Sequence, residues 1–413
     1  MKKYTNVRLK GNTELVELLV EDGIITGIGV NLPAAGEEID LEGKLVIPPY
    51  VDPHIHLDYV FTANIGEVNG SGTLFEGIER WSESKDHLTV DIVKERAKAG
   101  IKKEMLHGVQ ALRTHIDVTD PKLTSLKAML EVREELKDLI DIQIVAFPQE
   151  GMYAYQGGDV LVEEALKMGA DCVGAIPHYE LAREFGEKSI HKTVELAVRY
   201  NKLIDVHCDE TDDVQSRFLE LLNALVLMEG IGSRTAASHT CSFGSADNSY
   251  AFRMMKLLKK SSINFISCPT ENIYLQGRQD SYPKRRGLTR VKELSDHGIN
   301  VCFAQDSMSD PWYPLGNGNM MMILDHGIHI AQMMSPKEIE NALDLVTVNG
   351  AKTMNLEDYG IREGKPANFI VLDAKSEFEA ICERAGIVAS VRKGEFLFRK
   401  NTVKIESAKE FFA

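Results

Sequence analysis

The chain has 413 residues, of which 44% are hydrophobic and 26% are charged, as is usual for a globular protein with one large domain and a smaller one. Its formal net charge is -15 and it contains no block of lysines and arginines, which argues against binding of a nucleic acid polymer. The six cysteines are dispersed, and the sequence shows neither a signal-peptide core nor an apolar run of membrane-spanning length. We therefore expect reduced thiols, no membrane contact and a cytoplasmic location.

Strand-like segments lie at both ends of the chain. A hairpin signal, Glu21-Asp22-Gly23, joins two of them near the N-terminus. The segments are residues 15–20, 24–28, 368–372, 388–392 and 395–398. Neither end has enough apolar surface for a core of its own, so we expect the two ends to pair. The prediction is a small β-sandwich domain of residues 1–47 and 361–413.

The middle of the chain alternates strand-like apolar runs with helical patterns. The eight runs with strand character are Lys44–Ile47, Ala111–Ile116, Ile142–Phe147, Cys172–Ile176, Leu203–Val206, Thr235–Ser238, Ile263–Ser267 and Asn300–Ala304. The helical patterns include Asp91–Leu106, Lys122–Leu136, Lys188–Tyr200, Val214–Met228 and Tyr250–Lys259. Eight strands with intervening helices predict an α/β fold, a (β/α)8 TIM-like barrel, with the catalytic domain at residues 48–360.

Polar side chains follow the strands of this predicted barrel. His54 and His56 come after the first strand, and residues two apart in an extended segment point the same way. Later strands are followed by further histidines and carboxylates, namely His207, Glu210, His239 and Asp306. In such barrels the active site forms at the C-terminal ends of the strands, so we expect these groups to meet there.

The residue types at these positions indicate a metal centre. Three imidazoles, His54, His56 and His207, with the Asp306 carboxylate suit one divalent ion, Fe2+ or Zn2+. Such an ion lowers the pKa of a bound water towards neutrality and makes a hydroxide nucleophile. Glu210 is placed to act as a general acid/base, and His239 to hold the hydroxide by hydrogen bonding.

The end of the fourth strand bears on the number of metal ions. It reads Ala175-Ile176-Pro177-His178, with no lysine or glutamate to bridge a second ion. We therefore predict a mononuclear site, which favours attack on an amidine-like carbon over two-metal hydrolysis of an amide.

Several longer motifs resemble the amidohydrolase superfamily and, more narrowly, bacterial cytosine deaminases over nearly the whole chain. They are Pro53-His54-Ile55-His56, Val206-His207-Cys208-Asp209-Glu210, Ala237-Ser238-His239-Thr240, Ser71-Gly72-Thr73-Leu74-Phe75-Glu76-Gly77, Phe147-Pro148-Gln149-Glu150-Gly151, Leu275-Gln276-Gly277-Arg278 and Asp310-Pro311-Trp312-Tyr313-Pro314-Leu315-Gly316. The resemblance implies a homo-oligomeric enzyme that deaminates a free nucleobase.

The same resemblance implies roles for individual residues. The metal ligands are those named above, iron(II) or zinc being usual. Glu210 passes the proton of the hydroxide to the ring nitrogen, His239 assists the attack, and Asp306 carries a proton to the departing ammonia. Gln149 reads the carbonyl and N–H edge of the ring, which suits an amide that both donates and accepts. Leu74 and Trp312 line the base pocket.

Two segments depart from the cytosine deaminase pattern. Gln305-Asp306-Ser307 stands where the family has His-Asp-Asp, and Pro269-Thr270-Glu271-Asn272 replaces a more apolar segment. In the resembling enzymes the aspartate at the Ser307 position faces the C4–C5 edge of the pyrimidine. Serine removes a carboxylate and volume from that wall, so we predict room for a C5 methyl group and a preference for 5-methylcytosine, which would yield thymine and ammonia.

Other functions are compatible with the same residues. Within the deaminase class they are cytosine itself, isoguanine and creatinine-type cyclic amidines. A second reaction class is cyclic-amide hydrolysis of the hydantoinase or dihydroorotase kind, which the absent bridging lysine disfavours. A non-catalytic binding protein on the same scaffold is disfavoured because every catalytic position is filled. Release of ammonia separates the first class from the other two.

Overall fold

The strands of the protein form two sheets. One is built from the two ends of the chain and the other from the middle. The computed structural model describes residues 1–12, 14–85 and 87–400. The strands are, in chain order, β1 (Lys2–Leu9), β2 (Val16–Glu21), β3 (Ile24–Gly29), β4 (Glu37–Asp40), β5 (Leu45–Ile47), β6 (Tyr50–Ile55), β7 (Val109–Asp117), β8 (Asp141–Phe147), β9 (Cys172–Ala175), β10 (Leu203–Cys208), β11 (Thr235–His239), β12 (Asn264–Ser267), β13 (Val301–Phe303), β14 (Phe369–Leu372), β15 (Ile387–Arg392) and β16 (Glu395–Arg399).

Most helices lie between the strands of the second sheet. They are α1 (Leu74–Lys85), α2 (Val90–Leu106), α3 (Thr124–Leu136), α4 (Gly158–Met168), α5 (Arg183–Tyr200), α6 (Phe218–Glu229), α7 (Cys241–Ser245), α8 (Asn248–Ser261), α9 (Pro269–Leu275), α10 (Val291–Asp296), α11 (Met320–Ile330), α12 (Pro336–Ala342), α13 (Val348–Thr353) and α14 (Glu377–Cys382). Short 3-10 turns occupy Pro177–Tyr179, Gly232–Arg234 and Leu343–Val346. Among the described helices, none has the length and apolar character needed to cross a lipid bilayer.

The first sheet belongs to a unit made of Met1–Pro49 and the chain from Asp358 onward. Its strand order is β16-β15-β14-β5-β1-β2-β3, with β4 also beside β1. Strands from the two ends meet where β5 pairs with β1 on one side and with β14 on the other. Tyr4 packs edge-on against Phe369 in the core of this unit, with a centroid distance of 5.0 Å. The prediction of a β-sandwich domain built from both ends is confirmed.

The second unit, Tyr50–Glu357, contains the parallel strands β6 to β13 in sequential order. The two edge strands meet through hydrogen bonds around the end of β6. The Asp306 N–H donates to the His54 carbonyl at 2.7 Å, and the His56 N–H donates to the Asp306 carbonyl at 3.2 Å. This parallel bridge closes the barrel, so the predicted (β/α)8 fold is confirmed.

The helices around the barrel have the expected apolar stripe. In α2, Val93, Ala97 and Ile101 are buried at a spacing of four residues, which places them on one face. The Thr89 hydroxyl accepts a hydrogen bond from the Ile92 N–H and caps the first turn. These local features explain why this helix follows its predicted pattern closely.

The predicted first strand of the barrel, Lys44–Ile47, was wrong. Leu45–Ile47 is β5 of the terminal sheet, and the first barrel strand is Tyr50–Ile55. Both runs are wholly buried, so apolar character does not distinguish them. Pro48-Pro49 between them lacks the N–H groups that a continuous strand would need, and the chain changes sheet there. As a consequence, His54 lies within the strand and His56 directly after it.

Candidate active site

Three histidine side chains converge at the C-terminal mouth of the barrel. The Nε2 atom of His207 lies 3.2 Å from that of His54 and 3.1 Å from that of His56. Asp306 completes the group, with its Oδ1 atom 3.5 Å from the Nε2 atom of His54 and 3.4 Å from that of His56. All four side chains are buried. The structure thus brings together the four residues that were predicted to bind the metal.

The electrostatics of this group suit a cation. Burial, reinforced by the neighbouring imidazoles, lowers the pKa of His54 and His207 well below the ordinary value. Their rings are therefore neutral at physiological pH and can offer lone pairs to a metal. The facing Nε2 atoms of neutral imidazoles and the buried Asp306 carboxylate are all electron-pair donors, and too few protons are present for them to hydrogen-bond with one another. A divalent ion such as zinc or iron(II) would satisfy these donors together.

A chain of hydrogen bonds holds His54 in place. Its Nδ1 atom lies 3.0 Å from the Ser238 hydroxyl, which donates to Asp205 at 2.6 Å. The Arg113 guanidinium in turn pairs with Asp205 at 2.8 Å. Partners of this kind fix the orientation of a metal-binding imidazole. None of the last three residues had been assigned a role, because the sequence does not show which side chains of neighbouring strands touch.

Glu210 and His239 lie next to the convergent group. Their Oε1 and Nδ1 atoms are 3.4 Å apart, and the same His239 nitrogen is 3.7 Å from Asp306 Oδ2. The Asn272 amide donates to Glu210 at 2.9 Å and lies 3.3 Å from His239. Burial and the Asp306 carboxylate raise the pKa of Glu210 well above its ordinary value. A carboxyl group with a raised pKa suits proton transfer near neutral pH.

Two residues of the site have a left-handed backbone. The φ angle is 66° at His239 and 65° at Asp306, although neither is glycine. This conformation costs roughly 1–2 kcal/mol for a residue with a Cβ atom and persists where the surrounding structure imposes it. His239 is the last residue of β11 and Asp306 lies three residues after β13, so both stand where the chain turns at the mouth of the barrel.

A small cavity opens at these groups, and His56, His207, Glu210 and Asp306 are among its lining residues. All four residues predicted to bind the substrate line it, namely Gln149, Leu74, Ser307 and Trp312. Trp312 donates from its ring nitrogen to the Leu74 carbonyl at 3.1 Å, which joins these two parts of the wall. The candidate metal site and the candidate base pocket are therefore one continuous site.

The cavity is also lined or supported by residues to which the sequence analysis gives no role. Tyr59 stacks on His56 with a centroid distance of 4.7 Å, and its hydroxyl lies 3.5 Å from Gln149. Glu271 lines the cavity, and Asn272 beside it binds Glu210. The departure of residues 269–272 from the apolar family segment was the signal for these last two. Glu271 places a carboxyl group in the same lining as Ser307.

Comparison with known proteins places these residues in a family. The model of the amidohydrolase family matches residues 37–398. The crystal structure of 5-methylcytosine deaminase from Klebsiella pneumoniae liganded with 5-fluorocytosine is similar, with 51% sequence identity and a TM-score of 0.96. That match covers 98% of this chain and 99% of the other.

Two more distant matches have other substrates in their names. N-isopropylammelide isopropyl amidohydrolase from Pseudomonas sp. (strain ADP) is 29% identical over 374 residues, or 89% of each chain. Pterin deaminase from Rhizobium rhizogenes is 27% identical over 392 residues, with 93% of this chain and 88% of the relative covered. The fold, the convergent histidines and the family match agree: the chain is an enzyme of the amidohydrolase family.

Proposed function

We propose that this protein is a metal-dependent hydrolytic deaminase of a cytosine-like free base, with 5-methylcytosine as the preferred substrate. The observation that carries the proposal is the position of the histidine group directly below a cavity lined by Gln149, Leu74 and Trp312. The 51% identity to a protein described as a 5-methylcytosine deaminase supports the choice of base.

The metal in this proposal is one divalent ion, Fe2+ or Zn2+, held by the three histidines and Asp306. When bound, such an ion acidifies water, so that hydroxide is available at neutral pH. The segment at the end of β9, Ala175-Ile176-Pro177-His178, has no lysine or glutamate that could bridge a second ion, which supports one ion rather than two. Measurement of the metal bound to the purified protein tests the number and the identity of the ion.

The residues of the chain then manage the protons of the reaction. Overall, the C4–N bond of the base breaks, a C4–O bond forms from water, and ammonia leaves. Glu210 moves one proton of the water to ring nitrogen N3, for which its raised pKa is suited. Asp306 moves the other proton to the departing amino group, and His239 donates a hydrogen bond to the attacking oxygen. The base is neutral both before and after the reaction, so the protein needs only to move these two protons.

The walls of the cavity orient the ring. Gln149 carries both an amide N–H donor and a carbonyl acceptor, which match the O2 and N1–H groups of a cytosine. Leu74 and Trp312 cover the apolar faces, and Trp312 is held by the Leu74 carbonyl. Ser307 lies at the wall that we assign to C5, where a short side chain leaves space for a methyl group. A cytoplasmic location and a homo-oligomeric assembly are part of the same proposal.

An ammonia-release assay on the metal-loaded protein tests the function. We expect the highest specificity constant for 5-methylcytosine, lower values for cytosine, and little turnover of isoguanine or creatinine. Thymine should appear in equal amount with ammonia. Ring opening of dihydroorotate or a hydantoin without ammonia would instead indicate the cyclic-amide reaction. A protein that releases ammonia from none of these bases would contradict the proposal.

A further inference from the structure

Glu271 occupies the wall of the cavity next to Ser307. It lies in the first turn of the short helix α9, which follows β12, and it is 2% exposed. Its Oε2 atom is buried and has no hydrogen-bond partner within residues 1–12, 14–85 and 87–400. A buried carboxyl oxygen without a partner is costly unless something else supplies a donor. In a cavity built to bind a base, the ligand is the natural source of that donor.

Asp310, the neighbouring carboxyl group, is already engaged. Its two oxygens accept hydrogen bonds from the backbone N–H groups of Met308, Trp312 and Tyr313. These bonds hold the turn that carries Trp312, so Asp310 has a structural task and is not a lining residue of the cavity. Glu271 lines the cavity and has a spare oxygen, so the two carboxyl groups differ in what they can offer to a ligand.

The Ser307 side chain lies close to both carboxyl groups. Burial raises the pKa of Glu271 well above its ordinary value and that of Asp310 to about 7. In both cases the nearby Ser307 side chain acts in the opposite direction. The neutral and the ionised form of Glu271 both keep an acceptor oxygen, so the ability to accept a hydrogen bond does not depend on its charge.

A cytosine-like base brings one group that needs such an acceptor. Its exocyclic amino group at C4 carries two N–H donors, and each loses a hydrogen bond to water when the base enters a buried cavity. In the resembling enzymes an aspartate at the Ser307 position supplies a carboxyl group to this edge. Here Glu271 supplies a carboxyl group to the same wall from helix α9.

We propose that Glu271 is a substrate-binding residue whose carboxyl oxygen accepts a hydrogen bond from the C4 amino group of the base. The carboxyl group of the resembling enzymes is thus relocated from residue 307 to residue 271 rather than lost. This assignment rests on the proposed deaminase function. It also explains how the site binds the amino group while it leaves room for a substituent at C5.

The first test removes the acceptor. Glu271→Met should lower kcat/KM for 5-methylcytosine and for cytosine by roughly 10- to 100-fold, whereas Glu271→Gln, which keeps an amide oxygen, should retain most of the activity. Thymine has a carbonyl at C4 and no N–H there, so its inhibition constant should change by less than about threefold in Glu271→Met. Equal weakening of thymine and of both amino bases would mean a general distortion of the pocket and would overturn the assignment.

Glu104→Met is the matched control. Glu104 is a fully buried carboxyl group of α2 whose oxygens have no partner among the described residues, and it does not line the cavity. The same substitution there should leave the specificity constants within about threefold of the parent. A loss as large as that in Glu271→Met would show that removal of any buried carboxyl group has this effect.

The second test is a double-mutant cycle with Ser307→Asp. This change alone places a third carboxyl group beside Glu271 and Asp310, so we expect both bases to be turned over at least about tenfold more slowly. Combined with Glu271→Met, the aspartate becomes the acceptor, and activity on cytosine should exceed that of either single variant. If the double variant instead lost activity by the product of the losses in the two single variants, the relocation of the carboxyl group would be contradicted.

The parent enzyme separates the two proposals. If the metal-loaded parent neither turns over nor, by calorimetry, binds 5-methylcytosine or cytosine, the proposed function fails and the Glu271 assignment with it. If the parent deaminates 5-methylcytosine while Glu271→Met keeps its specificity constant, only the Glu271 assignment fails.

Discussion

At the scale of single residues, the site depends on where the backbone places three histidine side chains. His54 and His56 point the same way because residues two apart in an extended segment share a face. His207 arrives from β10 and meets both at 3.1–3.2 Å between the Nε2 atoms. In the proposed metal site, each histidine would supply one of the bonds to the ion.

Replacement of one of these histidines should remove the metal. In His54→Ala, His56→Ala and His207→Ala we expect metal affinity to fall by at least about a hundredfold, because three donors remain where four were needed. Elemental analysis of the purified variants measures this directly. His326→Ala, an exposed histidine of α11, is the control and should keep the metal content of the parent. Full occupancy in the His207 variant would remove that residue from the ligand set.

Replacement of Glu210 tests whether this residue acts in proton transfer and not in metal binding. Glu210→Gln keeps the size of the side chain and loses its basicity, so kcat should fall at least about a hundredfold. Metal content should stay near that of the parent. Asp213→Asn changes an exposed carboxylate of the same acidic segment and should leave kcat unchanged. Near-normal turnover in Glu210→Gln would mean that Glu210 transfers no proton in the rate-limiting step.

At the scale of elements, α1 covers one side of the cavity. Leu74 at its first residue lines the cavity and binds the Trp312 ring nitrogen through its carbonyl group. Gly77, one turn later, makes this contact possible. A Cβ atom at Gly77 would lie 2.4 Å from the Trp312 ring nitrogen, well inside van der Waals contact. The absence of a side chain at this position is thus a requirement of the pocket.

Gly77→Ala should therefore damage the pocket without loosening the helix. Alanine in a helix interior is favoured over glycine by roughly 0.5–1 kcal/mol, so the local effect of the change is stabilising. The displaced Trp312 ring should lower kcat/KM by about tenfold or more, while metal content stays the same. Gly70→Ala is the control, because a Cβ atom there meets no described atom within 4 Å. Equal kinetics in the two variants would mean that Trp312 can move at no cost to binding.

At the scale of the whole molecule, a buried ion pair crosses the interior of the barrel. Arg113 of β7 and Asp205 of β10 are 1% and 0% exposed, and their side chains meet at 2.8 Å. Arg113 also donates to the Thr353 carbonyl, and Asp205 accepts from Ser238, which contacts His54. The pair links strands that are far apart in the sequence and connects, through Ser238, to His54, which we propose as a metal ligand.

Removal of the cation should destabilise the protein as well as the metal site. In Arg113→Met the Asp205 carboxylate stays buried without its partner, which should lower the free energy of unfolding by about 3–5 kcal/mol. Denaturant unfolding of the two proteins measures the difference. Arg133→Met breaks a partly exposed pair with Asp171 and should cost no more than about 1 kcal/mol. Similar losses in both variants would contradict a special role for the buried pair.

The sequence by itself determined the fold class and most of the site. Alternation of apolar runs and helical patterns is enough to predict the barrel, because parallel strands need helical connections. Residues at or just beyond the C-terminal ends of the strands, such as His207 and Asp306, must lie at one mouth of that barrel. Their identity and their place along the chain therefore predict their proximity before any contact is known.

The tertiary structure alone decided matters that depend on contacts between distant segments. Leu45–Ile47 and Tyr50–Ile55 are equally apolar, and only their hydrogen-bonded partners assign the first to the terminal sheet and the second to the barrel. Glu271 and Asn272 are adjacent in a short helix, yet one lines the cavity beside Ser307 and the other binds Glu210. Side-chain direction in such a helix is set by packing against its neighbours, which a single sequence does not record.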